Sequence, residues 1–112
     1  MAFMTRSSAF GAQGRTRVLL ALRLLSESYP RQLAGVLAMP VSSVQKALQG
    51  LERDALVAGR SMGRTRLYKL DPRYFAYEEL QRFLLRLSQP EIGLRNRVAS
   101  LRRRPRRGAR AA

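Results

Sequence analysis

The sequence predicts a mainly α-helical domain that carries one β-hairpin. Three observations predict it. Apolar residues recur at three- and four-residue steps in successive stretches between residues 14 and 55, as amphipathic helices require. A strand–turn–strand pattern centred on Gly63 follows, and one or two further helical stretches come after it. At 112 residues, the chain is expected to form one domain with a core large enough to be stable without disulfides or metal.

Residues 1–12 are rich in Ser, Ala and Gly and read as a flexible N-terminus; the domain proper spans 13–101. From Gly14, Val18, Leu19, Leu22 and Leu25 form one apolar face, flanked by Arg15, Arg17 and Arg23. This first helix is expected to run to about Glu27 or Ser28, where Tyr29-Pro30 ends it. A second, short helix covers 31–37 and buries Leu33, Val36 and Leu37; Pro30 suits its first turn, where no backbone donor is needed. Ala38-Met39-Pro40 forms a break. A third helix runs from Val41 or Ser42 to Ala55 with Val44, Ala47, Leu48 and Leu51 inside, and Ser42 and Ser43 are placed to cap its free backbone donors. Gly50 interrupts it at a cost of roughly 1 kcal/mol against Ala, so close packing against the first helix is its expected reason.

The hairpin pairs residues 56–61 with 65–70, and Gly63 supplies the positive φ of a tight turn. Leu56, Tyr68 and Leu70 should reach the core; Leu67 and Lys69 share the opposite face of the return strand. Asp71-Pro72 closes the hairpin and opens a fourth helix with Phe75, Leu80, Phe83, Leu84 and Leu87 inside. After Ser88-Gln89-Pro90, a fifth helix over 91–103 shows a thin stripe of Ile92, Leu94, Val98 and Leu101. Residues 102–112 have no apolar side chain larger than Ala and read as a disordered, Arg-rich tail.

Composition limits the function. The chain holds 22 Lys+Arg against 7 Asp+Glu, a formal net charge of +15, which points to a polyanionic partner. Cys and His are both absent, which removes disulfides and thiolate or imidazole metal ligands. The carboxylates are scattered apart from the neighbours Glu78 and Glu79, which point to different faces of a helix. With no paired acid/base groups and no Gly-rich phosphate loop, the reading is a protein that is not an enzyme, with no cofactor and no metal. The N-terminus lacks the apolar run of a signal peptide, no stretch is long enough to span a bilayer, and the tail offers no Trp, Phe or Leu for insertion. A cytoplasmic protein without a membrane partner is expected.

The order helix, helix, break, helix, hairpin, helix is that of a winged helix-turn-helix. In such a domain, the helix over about 41–55 enters the major groove of double-stranded DNA and presents Ser42, Ser43, Gln45, Lys46 and Gln49 to base edges. The wing, 57–70, lies on the backbone or in the minor groove, and Arg31, Arg53, Arg60, Arg64 and Arg66 are the cations for that role. Arg102, Arg103, Arg104, Arg106, Arg107 and Arg110 of the tail would add sequence-independent affinity.

The run LAGVLAMPVSSVQKALQGLERDALVAGRSMGRTRLYKLDP resembles the winged-helix segment of ArsR-like and MarR-like bacterial transcription regulators, and FGAQGRTRVLLALRLL resembles the first helix of the ArsR-like type. The resemblance covers about residues 10–87. It implies a DNA-binding regulator that dimerises through terminal helices, with Val18, Leu22, Leu25, Ile92, Val98 and Leu101 as candidates. The helix over 91–103 is so thinly apolar that it is expected to need a partner surface. The chain departs from metal-sensing relatives, which use Cys and His ligands; no residue argues for a small-molecule effector. Two other functions fit a winged helix: an adaptor docking on a larger protein of toxin or nucleotidyltransferase type, and RNA binding through the basic tail. An adaptor should expose apolar residues along 41–53, where this sequence places Ser, Gln and Lys.

Overall fold

The structure is a computed structural model that describes residues 13–103. Its elements are α1 (Gln13–Leu25), α2 (Pro30–Leu37), α3 (Val41–Arg53), β1 (Val57–Met62), β2 (Thr65–Leu70), α4 (Tyr77–Ser88) and α5 (Ile92–Arg103). This is a winged helix-turn-helix: α2 and α3 form the helix pair and β1–β2 the wing, followed by two further helices.

α1 is the centre of the molecule. Thr16 and the unbroken run Val18, Leu19, Leu20, Ala21 and Leu22 are all fully buried, so the helix is enclosed rather than amphipathic. It packs against α2, α3, α4, α5 and β2. It ends at Leu25, earlier than its pattern suggests, because Ser26 turns left-handed at φ 76° and donates its N–H to Leu22 O at 2.8 Å. Ser28 then pairs with Tyr68 in an antiparallel bridge through N–H···O bonds of 3.0 and 2.8 Å. That bridge ties the exit of α1 to the wing.

α2 starts on Pro30, one residue before the expected 31, and runs to Leu37, where Ala38 caps it left-handed at φ 55°. α3 begins at Val41 as expected, but its cap and its end differ from expectation. Pro40 holds the N-cap position with no side-chain cap, and the Ser43 and Val44 N–H groups both donate to Pro40 O at 3.1 Å, so Ser42 and Ser43 are left exposed. The helix stops at Arg53, and Ala55 is left-handed at φ 67°. Val44, Leu48 and Leu51 are fully buried. Gly50 has the expected reason: a Cβ there would collide with the Arg15 guanidinium, which crosses from α1 and pairs with Asp54 at 2.8 Å.

β1 and β2 pair from Val57↔Leu70 to Met62↔Thr65, and Gly63 turns the hairpin at φ 63°. Tyr68 and Leu70 face the core, while Leu56 is only half-buried. Asp71-Pro72 does not open α4. Asp71 instead holds a turn, its carboxylate accepting the Arg73 N–H at 2.9 Å and Arg73 Nε–H at 3.2 Å. Those bonds hold its pKa below the ordinary carboxylate value. α4 begins only at Tyr77, which leaves Phe75 outside the helix and 91% exposed. α4 buries Leu80 and Leu84, but Phe83 falls on an outward flank and is 46% exposed.

α5 corrects a second expectation. Leu94 and Val98 are buried within the chain, Leu101 is half-buried and Ile92 is 65% exposed. The helix folds back on α1, α2 and α4. Two arginines clip it there: Arg97 Nε donates to Val36 O at 2.6 Å, and Arg102 donates to Leu24 O. Both acceptors lie in the last turns of α2 and α1, where carbonyls lack helical partners and a cation is favoured. The thin stripe thus finds its partner surface inside its own chain. Of the residues expected at a dimer interface, Val18, Leu22 and Val98 belong to this core, Leu25 and Leu101 are half-buried, and Ile92 alone is exposed. α5 also carries helical backbone through 102 and 103; Arg104, Arg106, Arg107 and Arg110 lie outside the described residues. Among the described residues, no helix is long and apolar enough to cross a membrane.

Docking of α5 on its own chain is testable by core truncation. Leu94→Ala is expected to destabilise by about 2–5 kcal/mol in urea unfolding, by the same amount at every protein concentration. A loss that shrinks as concentration rises would show that a second copy, rather than α1 and α2, holds the helix.

Candidate nucleic-acid interface

Burial of Val44, Leu48 and Leu51 fixes which side of α3 faces outward. That side carries Ser42, Ser43, Gln45, Lys46, Gln49 and Arg53, all exposed. No large apolar side chain between 41 and 53 is among the exposed ones. The sequence-predicted stripe is therefore a continuous polar and cationic surface.

A cleft runs along each flank of this stripe. One, of about 470 Å3, lies between α3 and the wing; Gln45 and Gln49 form one wall and Ser61, Arg64, Thr65 and Arg66 the other. The second, of about 540 Å3, lies between α3 and the start of α1; Ser43, Lys46, Gln49 and Arg53 face Arg15 across it. No carboxylate lines either cleft. α3 is thus a ridge of amide, hydroxyl and ammonium groups between two troughs edged by guanidinium groups. Such an arrangement suits a ligand with a hydrogen-bonding centre and two anionic rails.

The wing cations are not equivalent. Arg66 is anchored: its Nη2 pairs with Glu52 Oε2 at 2.7 Å, and its guanidinium lies 5.7 Å from the Tyr68 ring centre. The Glu52 hydrogen bond and charge raise its pKa further above the ordinary guanidinium value. Gly59 makes room for this stack, since a Cβ there would sit 2.6 Å from Arg66 Nε and 2.9 Å from the Tyr68 ring. Arg60 pairs with Glu27 at 3.1 Å and lines neither cleft. Arg64, at the hairpin turn, makes no ion pair among the described residues.

The structure therefore brings together Ser43, Gln45, Lys46, Gln49, Arg53, Arg64 and Arg66. It leaves Ser42 exposed on α3 but outside both clefts, and it places Arg31 in a different groove, between α2 and α5. Arg15, Ser61 and Thr65 also line the clefts and are not evident from the sequence. Only Arg15 left a trace there, in the glycine opposite it. Among the described residues, no group of three His, Cys, Asp or Glu comes close enough to hold a metal ion.

No protein-family model matches the sequence, and no curated protein matches it. Among solved structures, the fold is similar to that of the adhesin competence repressor AdcR from Streptococcus pyogenes. The TM-score is 0.59 at 15% identity, covering 85% of this chain and 71% of that one. At that identity the likeness is one of fold, and it agrees with the winged helix-turn-helix described above.

The packing of Arg66 and Tyr68 over Gly59 yields a direct test. Gly59→Ala is expected to cost about 1–3 kcal/mol in urea unfolding, because the buried Tyr68 ring must move to admit a methyl group. Gly50→Ala, where only the end of the flexible Arg15 side chain must yield, should change stability by less than about 1 kcal/mol.

Proposed function

We propose that this chain is a sequence-specific double-stranded DNA-binding transcription regulator that acts as a homodimer. The observation that carries the reading is the polar ridge of α3 between two carboxylate-free, arginine-edged clefts. The major groove of B-DNA is about 12 Å wide and admits one helix, with a phosphate backbone on each side. On this reading, Gln45 and Gln49 read base edges, with Lys46 reaching a guanine or a phosphate. Ser42 and Ser43 contact the groove near the start of α3, whose uncapped backbone donors favour a phosphate. Arg64 and Arg66 hold one strand; Arg53, and Arg15 beside it, hold the other. Arg104, Arg106, Arg107 and Arg110 add sequence-independent affinity. The ArsR-like and MarR-like resemblance of residues 10–87 supports a bacterial regulator, as does the similar fold of the adhesin competence repressor. The adaptor reading is disfavoured by the absence of an exposed large apolar side chain on α3.

Self-association is assigned to the outer face of α4. Glu79, Phe83 and Arg86 follow one another at four- and three-residue steps and are all exposed. Four carboxylates, Glu27, Glu52, Asp54 and Asp71, pair with arginines of the chain, and Glu91 is buried. Glu78 and Glu79 make no ion pair among the described residues. Two antiparallel copies of α4 would set Glu79 of each against Arg86 of the other, with the two Phe83 rings between. The stripe is therefore complementary to itself, as a two-fold interface requires.

Binding-site selection tests the DNA reading. Gln45→Ala and Gln49→Ala should each relax the preference at particular base pairs by about 1–3 kcal/mol while leaving non-specific affinity nearly intact. Arg64→Ala should weaken binding to all sequences and flatten the salt slope by about 0.9. Unchanged preferences in both Gln variants would discard α3 as the reading element and bring the adaptor function forward. Sedimentation equilibrium tests the dimer separately. Glu79→Arg and Arg86→Glu should each yield monomers, and an equimolar mixture of the two should dimerise again. A wild-type monomer, or a mixture that stays monomeric, rules out this interface.

A further inference from the structure

The two glutamines on the ridge of α3 differ from glutamines that serve the fold. Gln32 accepts a hydrogen bond from Ser28 Oγ at 2.7 Å, and Gln89 accepts one from Arg86 at 3.3 Å. Gln45 and Gln49 are exposed, and their amides make no hydrogen bond among the described residues. Both border the cleft beside the wing. Lys46 borders the cleft on the other flank, beside α1. Glu52 is the one carboxylate of α3, and Arg66 holds it at 2.7 Å. The outward stripe therefore offers two unengaged amides and one ammonium, and its single carboxylate is paired.

These groups distinguish base edges by their pattern of donors and acceptors. A side-chain amide sets one donor beside one acceptor, which matches N7 and N6–H of adenine. At guanine, N7 and O6 are both acceptors, so the amide oxygen finds no donor. Cytosine N4–H is matched by a carboxylate, and the carboxylate of α3 is already paired with Arg66. Guanine is best matched by a bidentate guanidinium. Arg53, the guanidinium of α3, stands a full turn beyond Gln49 at the end of the helix.

We infer that the DNA site of this chain is marked by two adenines on one strand, one or two base-pair steps apart, read by Gln45 and Gln49. This rests on the DNA-binding reading above and adds the base identity, strand and spacing. Four residues advance a helix by about 6 Å, and base pairs follow one another at about 3.4 Å along the duplex. Both amides border the wing-side cleft, so they meet the strand that the wing holds. Lys46, on the opposite flank, is left to a guanine or phosphate of the other strand.

The test uses the full-length protein and the duplex that it selects from a random pool. Two adenines at the stated spacing are expected, one losing its preference in Gln45→Ala and the other in Gln49→Ala. 7-Deazaadenine at either position removes only the N7 acceptor. It should weaken wild-type binding roughly tenfold, and binding by the variant that lacks the matching glutamine by less than about twofold. Gln49→Arg should change the preferred base at its position from adenine to guanine. Selected sites with guanine or cytosine at the two glutamine-dependent positions overturn the inference and leave the DNA-binding reading standing. So do adenines on opposite strands, and so does a 7-deaza effect equal in wild type and variants. A pool in which no sequence is enriched overturns both.

Discussion

Enclosure of α1 is the constraint on which the rest of the structure depends. Five consecutive side chains, Val18 to Leu22, have no exposure, and each such burial is worth about 1.5–3 kcal/mol for a large aliphatic residue. A helix whose central run has no exposure must be covered on several sides, and α2, α3, α4, α5 and β2 pack against it. The position of α3 follows from this. Its buried residues Val44, Leu48 and Leu51 leave Gln45 and Gln49 outward, and Gly50 lets Arg15 of α1 lie across it. The candidate interface is thus set by the same packing that covers the central helix.

Arginine serves two physically different purposes in this chain. Some guanidinium groups are internal clips: Arg17 donates to Leu37 O, Arg23 to Gln81 O, Arg97 to Val36 O and Arg102 to Leu24 O. The planar fork can reach a carbonyl at a helix end while its stem covers apolar surface, which a compact ammonium does less well. Burial and the neighbouring Arg97 lower the pKa of Arg17, against the opposing pull of Glu91. Other guanidinium groups, such as Arg53 and Arg64, stand at the clefts beside α3. A net charge of +15 is therefore an upper measure of what faces a polyanion, because part of the basic surplus holds the fold together. Arg102 shows the difference most clearly: it reads as tail in the sequence, and it caps α1 in the structure.

The helices, their order and the hairpin were legible because each rests on local periodicity and on residues with restricted backbones. Pro30 opens α2, Gly63 turns the wing, and the Ser88-Gln89-Pro90 break separates α4 from α5. The outward stripe of α3 was legible for the same reason, since its buried partners Val44, Leu48 and Leu51 recur at helical spacing. Element ends were less so. α1 stops early because Ser28 finds Tyr68, a partner forty positions away that no local pattern announces. α4 starts late because the Asp71–Arg73 bonds favour a turn over a helix start. Phe75, Phe83 and Ile92 were placed inside from hydrophobicity alone, yet all three are exposed, because the direction of a side chain depends on where its helix begins and what lies beside it.

By itself, the sequence determined the fold class, the polarity of the third helix and the strongly basic balance, all properties of residue type and short-range spacing. Tertiary structure decided which charges are available. Glu52 and Glu27 lie far along the chain from Arg66 and Arg60, and only folding sets them within 2.7 and 3.1 Å. Folding likewise turned the fifth helix into core, moved Arg31 to a groove beside Gly35, and brought Arg15 to the flank of α3. The physical reason is range. Backbone propensity and periodicity act over a turn or two of chain, whereas ion pairs, clips and clefts join segments whose separation in sequence carries no signal of their proximity in space.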